Sequence, residues 1–100
     1  MKKFSLMLAV VLVLSTVLSA CAPSKPDCSK ADVFCVGLVT DVGKVDDKSF
    51  NQSAWEGVKQ AEKDLKANVQ YIETADAKDY AKNIGTFADA KYDVIVTVGF

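Results

Sequence analysis

The feature that most restricts the fold is an uninterrupted run of uncharged, mainly apolar residues at positions 33–40, which ends in a loop rich in carboxylates. A strand with one face in water alternates apolar and polar residues, whereas an unbroken apolar strand is typical of a sheet covered on both faces. Such sheets are mostly parallel, because helices join their strands. The run therefore predicts a buried strand in a parallel α/β sheet.

Two segments with helical spacing alternate with two further apolar runs. Residues 49–67 carry one apolar stripe at helical period, which predicts a helix capped by Asp47 or Ser49. The stripe consists of Phe50, Ala54, Val58, Ala61 and Leu65. A second helix is predicted over residues 79–91, and its stripe consists of Tyr80, Ile84, Phe87 and Ala88. The runs at 69–73 and 94–99 predict the other two strands.

The resulting order, β-α-β-α-β, predicts an α/β fold with a parallel sheet and helices on both faces. The expected strand order is 2-1-3. The chain stops at Phe100, directly after the third strand, with no helix to cover that side of the sheet. Residues 32–100 are therefore expected to form the first, incomplete part of a larger domain.

The first residues have the pattern of an export signal. Lys2 and Lys3 precede an uncharged stretch at residues 4–18, and small residues then lead to Cys21. This stretch is shorter than the roughly 20 apolar residues of a membrane-spanning helix, so residues 1–20 are predicted to be a signal peptide. The sequence LSAC at 18–21 resembles the bacterial lipobox, which implies cleavage before Cys21 and acylation of its thiol and amine.

An acylated Cys21 would anchor the protein to the extracytoplasmic face of the cell membrane, since each buried methylene contributes about 0.8 kcal/mol. Residues 21–31 are polar, contain two prolines and are predicted to form a tether. Loss of Lys2 and Lys3 leaves ten lysines against thirteen acidic residues, a net charge of −3. An acidic chain without a basic patch is not expected to bind nucleic acid.

Of the two further cysteines, Cys28 lies within the predicted tether and Cys35 within the predicted first strand. Outside the cytoplasm they can form a disulfide, or Cys35 can be a small buried apolar residue of the first strand. Their spacing fits no common zinc motif, and the chain has no histidine. No metal or other cofactor is expected.

Ligands of open α/β sheets bind at the carboxyl ends of the strands, which places residues 41–50 and 99–100 at the expected site. The loop at 41–50 has no glycine-rich phosphate motif and no catalytic histidine, thiol or serine elbow, so an enzyme is not expected. It has carboxylates, which accept hydrogen bonds from hydroxyls, and one aromatic ring. This chemistry favours a neutral, polar, cyclic solute.

Residues 36–65 resemble the opening of the basic membrane protein, or PnrA-like, family of lipid-anchored substrate-binding proteins of ABC transporters. The matching segments are DVG at 41–43, DKSFNQ at 47–52 and AWEG at 54–57, and DVIVTVGF at 93–100 is similar to the family's third strand. Several members bind purine nucleosides. The resemblance implies a lobe like that of type I periplasmic binding proteins, a nucleoside ligand and an ABC permease as partner.

Carried over by position, the resemblance implies that Asp41 makes a polar contact to the ligand and that Phe50 stacks on the base. Asp46, Asp47 and Asn51 are further candidates, either for ligand contact or for capping the helix. Asp46 stands where the family often has asparagine. Phe50 also fits the apolar stripe, and Asp41 also fits a turn before Gly43.

Three other functions compete with the nucleoside receptor. A sugar or other small-solute receptor of the same fold would differ only in its pocket. A lipid-anchored enzyme would need catalytic groups from a part of the protein outside these 100 residues. A receiver-type signalling domain would need a phosphorylatable aspartate after the third strand, where this chain has Gly99 and Phe100.

Overall fold

The computed structural model describes residues 24–99, so the predicted signal peptide, Cys21 and Phe100 lie outside the described residues. The elements, in chain order, are β1 (Cys35–Val42), α1 (Phe50–Leu65), β2 (Asn68–Thr74), a 3-10 helix (Ala77–Asp79), α2 (Tyr80–Asp89) and β3 (Val94–Thr97). Within residues 24–99, no helix combines the length and the apolar character that crossing a membrane requires.

The three strands form one parallel sheet in the order β2-β1-β3, which confirms the predicted fold class and strand order. Val36 of β1 lies opposite Val69 on one side and Val94 on the other. Residues 35–40 of β1 are all buried. The unbroken apolar run is therefore the central strand, as its composition indicates.

Several boundaries differ from the predicted ones, and the carboxyl ends of β1, α1 and β3 differ as follows. β1 continues through Asp41 to Val42, because the pairing with β2 shifts register between Val39 and Val42 and then resumes at Thr74. This bulge has no signature in the local sequence. α1 ends at Leu65, since Lys66 adopts the left-handed conformation with φ 53°. β3 ends at Thr97 and does not reach Gly99.

The two helices cover opposite faces of β1. On one face, Val36 and Leu38 form a buried cluster with Val58 of α1. On the other, the ring of Phe87 in α2 lies so close to Gly37 that a Cβ there would be 2.6 Å from the ring. Residues 36 and 38 point away from residue 37 in a strand, so the helices must lie on different sides of the sheet.

The predicted stripe of α1 is buried only in its middle. Val58 is 4% exposed, whereas Phe50 in the first turn is 69% exposed and Leu65 in the last turn is 62% exposed. The apolar stripe is therefore not buried along its whole length, and its two ends lie outside the core. Periodicity gives the direction of a side chain but not the extent of the surface that it meets.

Cys28 and Cys35 form a disulfide, with their Cα atoms 5.8 Å apart. The bond joins the segment before β1 to the first residue of that strand. Asp93 holds the same residue: its carboxylate accepts a hydrogen bond from the Cys35 N–H (2.8 Å), and its own N–H donates to the Cys35 carbonyl (3.1 Å). The amino end of β1 is thus fixed covalently and by backbone hydrogen bonds.

Candidate functional site

The chain leaves the sheet at the carboxyl end of β1 through a turn that is fastened to β2. The Thr40 hydroxyl donates to the Gly43 carbonyl (3.1 Å) and accepts from the Thr74 N–H (2.9 Å). The Gly43 N–H donates to the Thr74 carbonyl (2.9 Å). Gly43 has φ 133°, a conformation that favours glycine. These contacts hold Asp41 and the following loop in a defined position.

Asp41 lies at the point where the strand gives way to this turn, with its side chain half-buried. Its Oδ1 accepts hydrogen bonds from the Tyr80 hydroxyl and from the Val42 N–H (2.7 Å for the latter). The Tyr80 hydroxyl, followed by the Val42 N–H, lowers the pKa of the Asp41 carboxyl below its usual value. The same bond to Asp41 raises the pKa of Tyr80. Asp41 is therefore a carboxylate at neutral pH.

Asn51 holds the backbone of Asp41. Its side-chain oxygen accepts from the Asp41 N–H (2.8 Å), and its side-chain nitrogen donates to the Asp41 carbonyl (3.5 Å). Asn51 is 2% exposed. Its amide group is therefore engaged within the protein, and this geometry favours a supporting role over direct contact with a ligand.

Asp47 caps helix α1. One carboxylate oxygen accepts from the backbone N–H groups of Ser49 (2.8 Å) and Gln52 (3.0 Å), and the other accepts from that of Asn51 (3.2 Å). Desolvation raises the pKa of Asp47, but the three N–H groups together outweigh it and lower that pKa. Asp46 beside it is exposed, and no described residue donates a hydrogen bond to its carboxylate. The carboxylate of Asp47 thus caps the helix, whereas the neighbouring carboxylate of Asp46 faces solvent.

Asp41 and Phe50 line the same cavity, which has a volume of about 330 Å³. The other lining residues are Ala54, Thr97, Val98 and Gly99. Gly99 has φ 140°, and a Cβ there would lie 3.5 Å from Asp41 Oδ1, so the chain after β3 passes close to the carboxylate. The structure therefore brings together a carboxylate acceptor and an exposed aromatic ring at the carboxyl ends of β1 and β3.

A second cavity, of about 350 Å³, lies between α1 and the sheet. Its lining is almost wholly apolar and includes Phe34, Val36, Leu65 and Val94. A polar solute needs a few placed hydrogen-bonding groups, which this cavity lacks. Among the described residues, no cluster of carboxylates and cysteines has the arrangement of a metal site either.

Tyr80 is the site residue that sequence reasoning did not identify. Its position in the apolar stripe of the second helix indicated core packing, yet its hydroxyl contacts Asp41 and the Val42 N–H. Tyr80 begins the helix that follows β2, so its position relative to the strand ends is the signal that could have identified it.

Comparison with known proteins adds to this geometry. The profile of the family described as "ABC transporter substrate-binding protein PnrA-like" matches residues 34–100. The CD4+ T-cell-stimulating antigen of Listeria innocua is 38% identical over all of this chain and 31% of its own length. The ABC transporter nucleoside-binding protein BmpA of Lactococcus lactis is 37% identical over 63% of this chain and 19% of its own length.

A third relative, an uncharacterized lipoprotein of Pyrococcus abyssi, is 30% identical over all of this chain and 26% of its own length. The chain thus spans less than a third of the length of each of these curated relatives. The matched residues 34–100 include all three strands, both helices and every residue that lines the cavity.

Proposed function

The chain belongs to the PnrA-like family of ABC transporter substrate-binding proteins, and from that membership we propose that the protein is a receptor that captures a nucleoside and delivers it to an ABC permease. The single observation that carries the proposal is the cavity that Asp41 and Phe50 share. A hydrogen-bond acceptor and a stacking surface are the two features by which a protein holds a base.

The charge of the cavity favours a nucleoside over a nucleotide. Among residues 24–99, Asp41 is the one charged residue that lines it, and its lowered pKa keeps it anionic at neutral pH. A phosphate group would be repelled by this carboxylate, whereas ribose hydroxyls and the N–H groups of a base can donate to it. The proposed ligand is therefore uncharged and rich in donors.

The exposed ring of Phe50 supports the base as the stacking partner. It is 69% exposed at the first turn of α1, and a stacked base gains about 1–3 kcal/mol from such a ring. The Lactococcus lactis relative is named as nucleoside-binding. Asp46, Asp47 and Asn51 remain proposed as secondary contacts, and the hydrogen bonds of Asp47 and Asn51 favour support of the site.

The proposed location is the extracytoplasmic face of the cell membrane. A signal peptide at residues 1–20 would be removed, acylated Cys21 would hold the membrane, and residues 21–31 would link it to the domain. The Pyrococcus abyssi relative is named as a lipoprotein. In this proposal the protein binds and releases its solute unchanged and is not an enzyme.

A thermal-shift screen of the complete gene product, produced without lipid, tests the proposal. Purine and pyrimidine nucleosides, free bases, sugars and a nucleoside monophosphate would be compared. A ligand at 100 times its Kd stabilises the folded state by about 2.7 kcal/mol, so a nucleoside should raise the Tm clearly and the monophosphate should not. A rise with sugars alone would replace the nucleoside receptor by a sugar receptor, and no rise with any solute would contradict both.

A further inference from the structure

We infer that Tyr80 is a positioning residue of the ligand site, which holds the Asp41 carboxylate so that one of its two oxygens is left for the ligand. This inference rests on the proposed function, because it assumes that the cavity beside Asp41 takes a polar solute. Tyr80 is the first residue of α2, whereas Phe50 is the first residue of α1. Tyr80 therefore belongs to the connection between β2 and β3 and not to the loop that follows β1.

Three atoms form the contact that carries the inference. The Tyr80 hydroxyl donates to Asp41 Oδ1, and the Val42 N–H points at both, with N···O distances of 2.7 Å to Asp41 Oδ1 and 3.2 Å to the Tyr80 oxygen. Such a three-centre arrangement restrains the carboxylate in position and in rotation. Tyr80 reaches it across 39 positions of sequence, so the restraint couples α2 to β1.

The second oxygen of Asp41, Oδ2, accepts no hydrogen bond from any residue in the range 24–99. A carboxylate grips a vicinal diol with both oxygens at once, but here Oδ1 already has two donors. The available chemistry at this position is thus one acceptor oxygen with two lone-pair sites, which suits an N–H of a base or a hydroxyl and does not allow the two-oxygen grip on a diol.

The chain that follows β3 also lies close to the hydrogen bond between Tyr80 and Asp41. A Cβ on Gly99 would lie 3.5 Å from Asp41 Oδ1 and 3.6 Å from the Tyr80 hydroxyl oxygen. Gly99 also lines the cavity that Asp41 shares with Phe50. The restrained carboxylate is therefore a wall of the proposed ligand site, and Tyr80 acts on the ligand through it.

The effect of removing the Tyr80 hydroxyl can be measured separately from the effect of removing its ring. The ring lines a shallow depression of about 220 Å³ with Ile84 and Val98, and Tyr80→Phe keeps that packing. Tyr92→Phe is a matched control, because it removes a hydroxyl from a half-buried tyrosine that packs on Phe87 and has no hydrogen bond to the site.

The experiment measures the affinity for inosine by calorimetry, and the titration of Asp41 by NMR with carboxyl-labelled aspartate, in the complete gene product. Tyr80→Phe should weaken inosine binding about tenfold, the usual effect of one lost hydrogen bond to a charged group. It should also raise the pKa of Asp41, because the main contact that lowers it is gone. Tyr92→Phe should change neither.

The inference would be overturned by an Asp41 titration that is the same in Tyr80→Phe and in the unaltered protein, or by an inosine affinity that falls equally in Tyr80→Phe and Tyr92→Phe. If neither inosine nor any other nucleoside of the thermal-shift screen binds the unaltered protein, the nucleoside proposal is wrong, and the Asp41 titration then decides on Tyr80 alone. A Tyr80→Phe protein that loses Tm but keeps inosine affinity would show a purely structural residue and would also overturn it.

Discussion

At its amino end β1 is held by a disulfide and by paired hydrogen bonds to Asp93, whereas at its carboxyl end it opens into a cavity. Cys35 is 0% exposed, and both of its backbone polar groups bond to Asp93. Asp41 is half-buried, and one oxygen of its carboxylate has no partner among residues 24–99. One strand thus has a structural end and an end that borders the proposed ligand site.

The difference follows from the chemistry of a parallel sheet. All three strands point the same way, so the loops that follow β1 and β3 meet at one edge and can surround a solute. The opposite end of the sheet receives the segment before β1 and the short connections at 66–67 and 90–93, and Asp93 of the second connection bonds to Cys35. Stability and binding can therefore be altered separately by substitutions near the two ends of this strand, as the following predictions specify.

The largest expected effect is on stability, at the amino end. Replacing both Cys28 and Cys35 by alanine removes a cross-link that closes a loop of short sequence separation (7 residues). Loop-closure entropy predicts a loss of about 2–3 kcal/mol in the free energy of unfolding, measurable by urea denaturation. Solute affinity below the unfolding transition should be unchanged. Dithiothreitol should destabilise the unaltered protein but not the double variant, and an equal response of the two would contradict this account.

The next effect is on binding, at the carboxyl end. Phe50→Ala should weaken nucleoside binding by about 1–3 kcal/mol through the lost stacking surface, with little change in Tm because the ring is largely exposed. Leu65→Ala is the matched control, since Leu65 is 62% exposed at the other end of the same helix. Calorimetry should find normal affinity for Leu65→Ala; an equal loss in both variants would remove Phe50 from the proposed site.

How much of the structure at the two ends of β1 can be predicted from the sequence depends on the kind of interaction. The apolar run of β1 and the periods of α1 and α2 predict the sheet, its order and both covered faces, because burial leaves a regular pattern. The position of Asp41 follows from the strand-end rule. The bond between Tyr80 and Asp41 could not be predicted, since it depends on a bulge at the end of β1 and on residues far apart in sequence. The pairing of Cys28 with Cys35 also stays open until their distance is known.

A smaller effect separates capping from binding within the loop. Asp47→Ala removes the acceptor for three N–H groups at the start of α1 and should lower the Tm by a few degrees, as loss of a helix cap does. Asp46→Ala changes an exposed neighbour of the same charge and should leave the Tm unchanged. If Asp47→Ala lost much of its solute affinity while its Tm hardly changed, Asp47 would be a residue that contacts the ligand.

The smallest expected effect is a dependence of stability on pH. The pKa values of Asp41 and Asp47 are lowered in the folded protein from the usual 3.8, so the folded state favours their charged forms. Their stabilising contribution is present above pH 3.8 and is lost as the pH falls through the folded-state values. Urea denaturation between pH 6 and about pH 3 should therefore show a smaller decline for Asp47→Asn, which keeps an acceptor and does not titrate.

The most direct test of the central claim is backbone hydrogen exchange of the complete gene product with and without saturating inosine. The account predicts slower exchange for amides in residues 41–52 and 97–99, around the cavity that Asp41 and Phe50 line. Amides in residues 28–36, beside the disulfide, should exchange at the same rate in both samples. Protection confined to residues 28–36, or none at residues 41–52, would contradict the assignment of binding to the carboxyl end of β1.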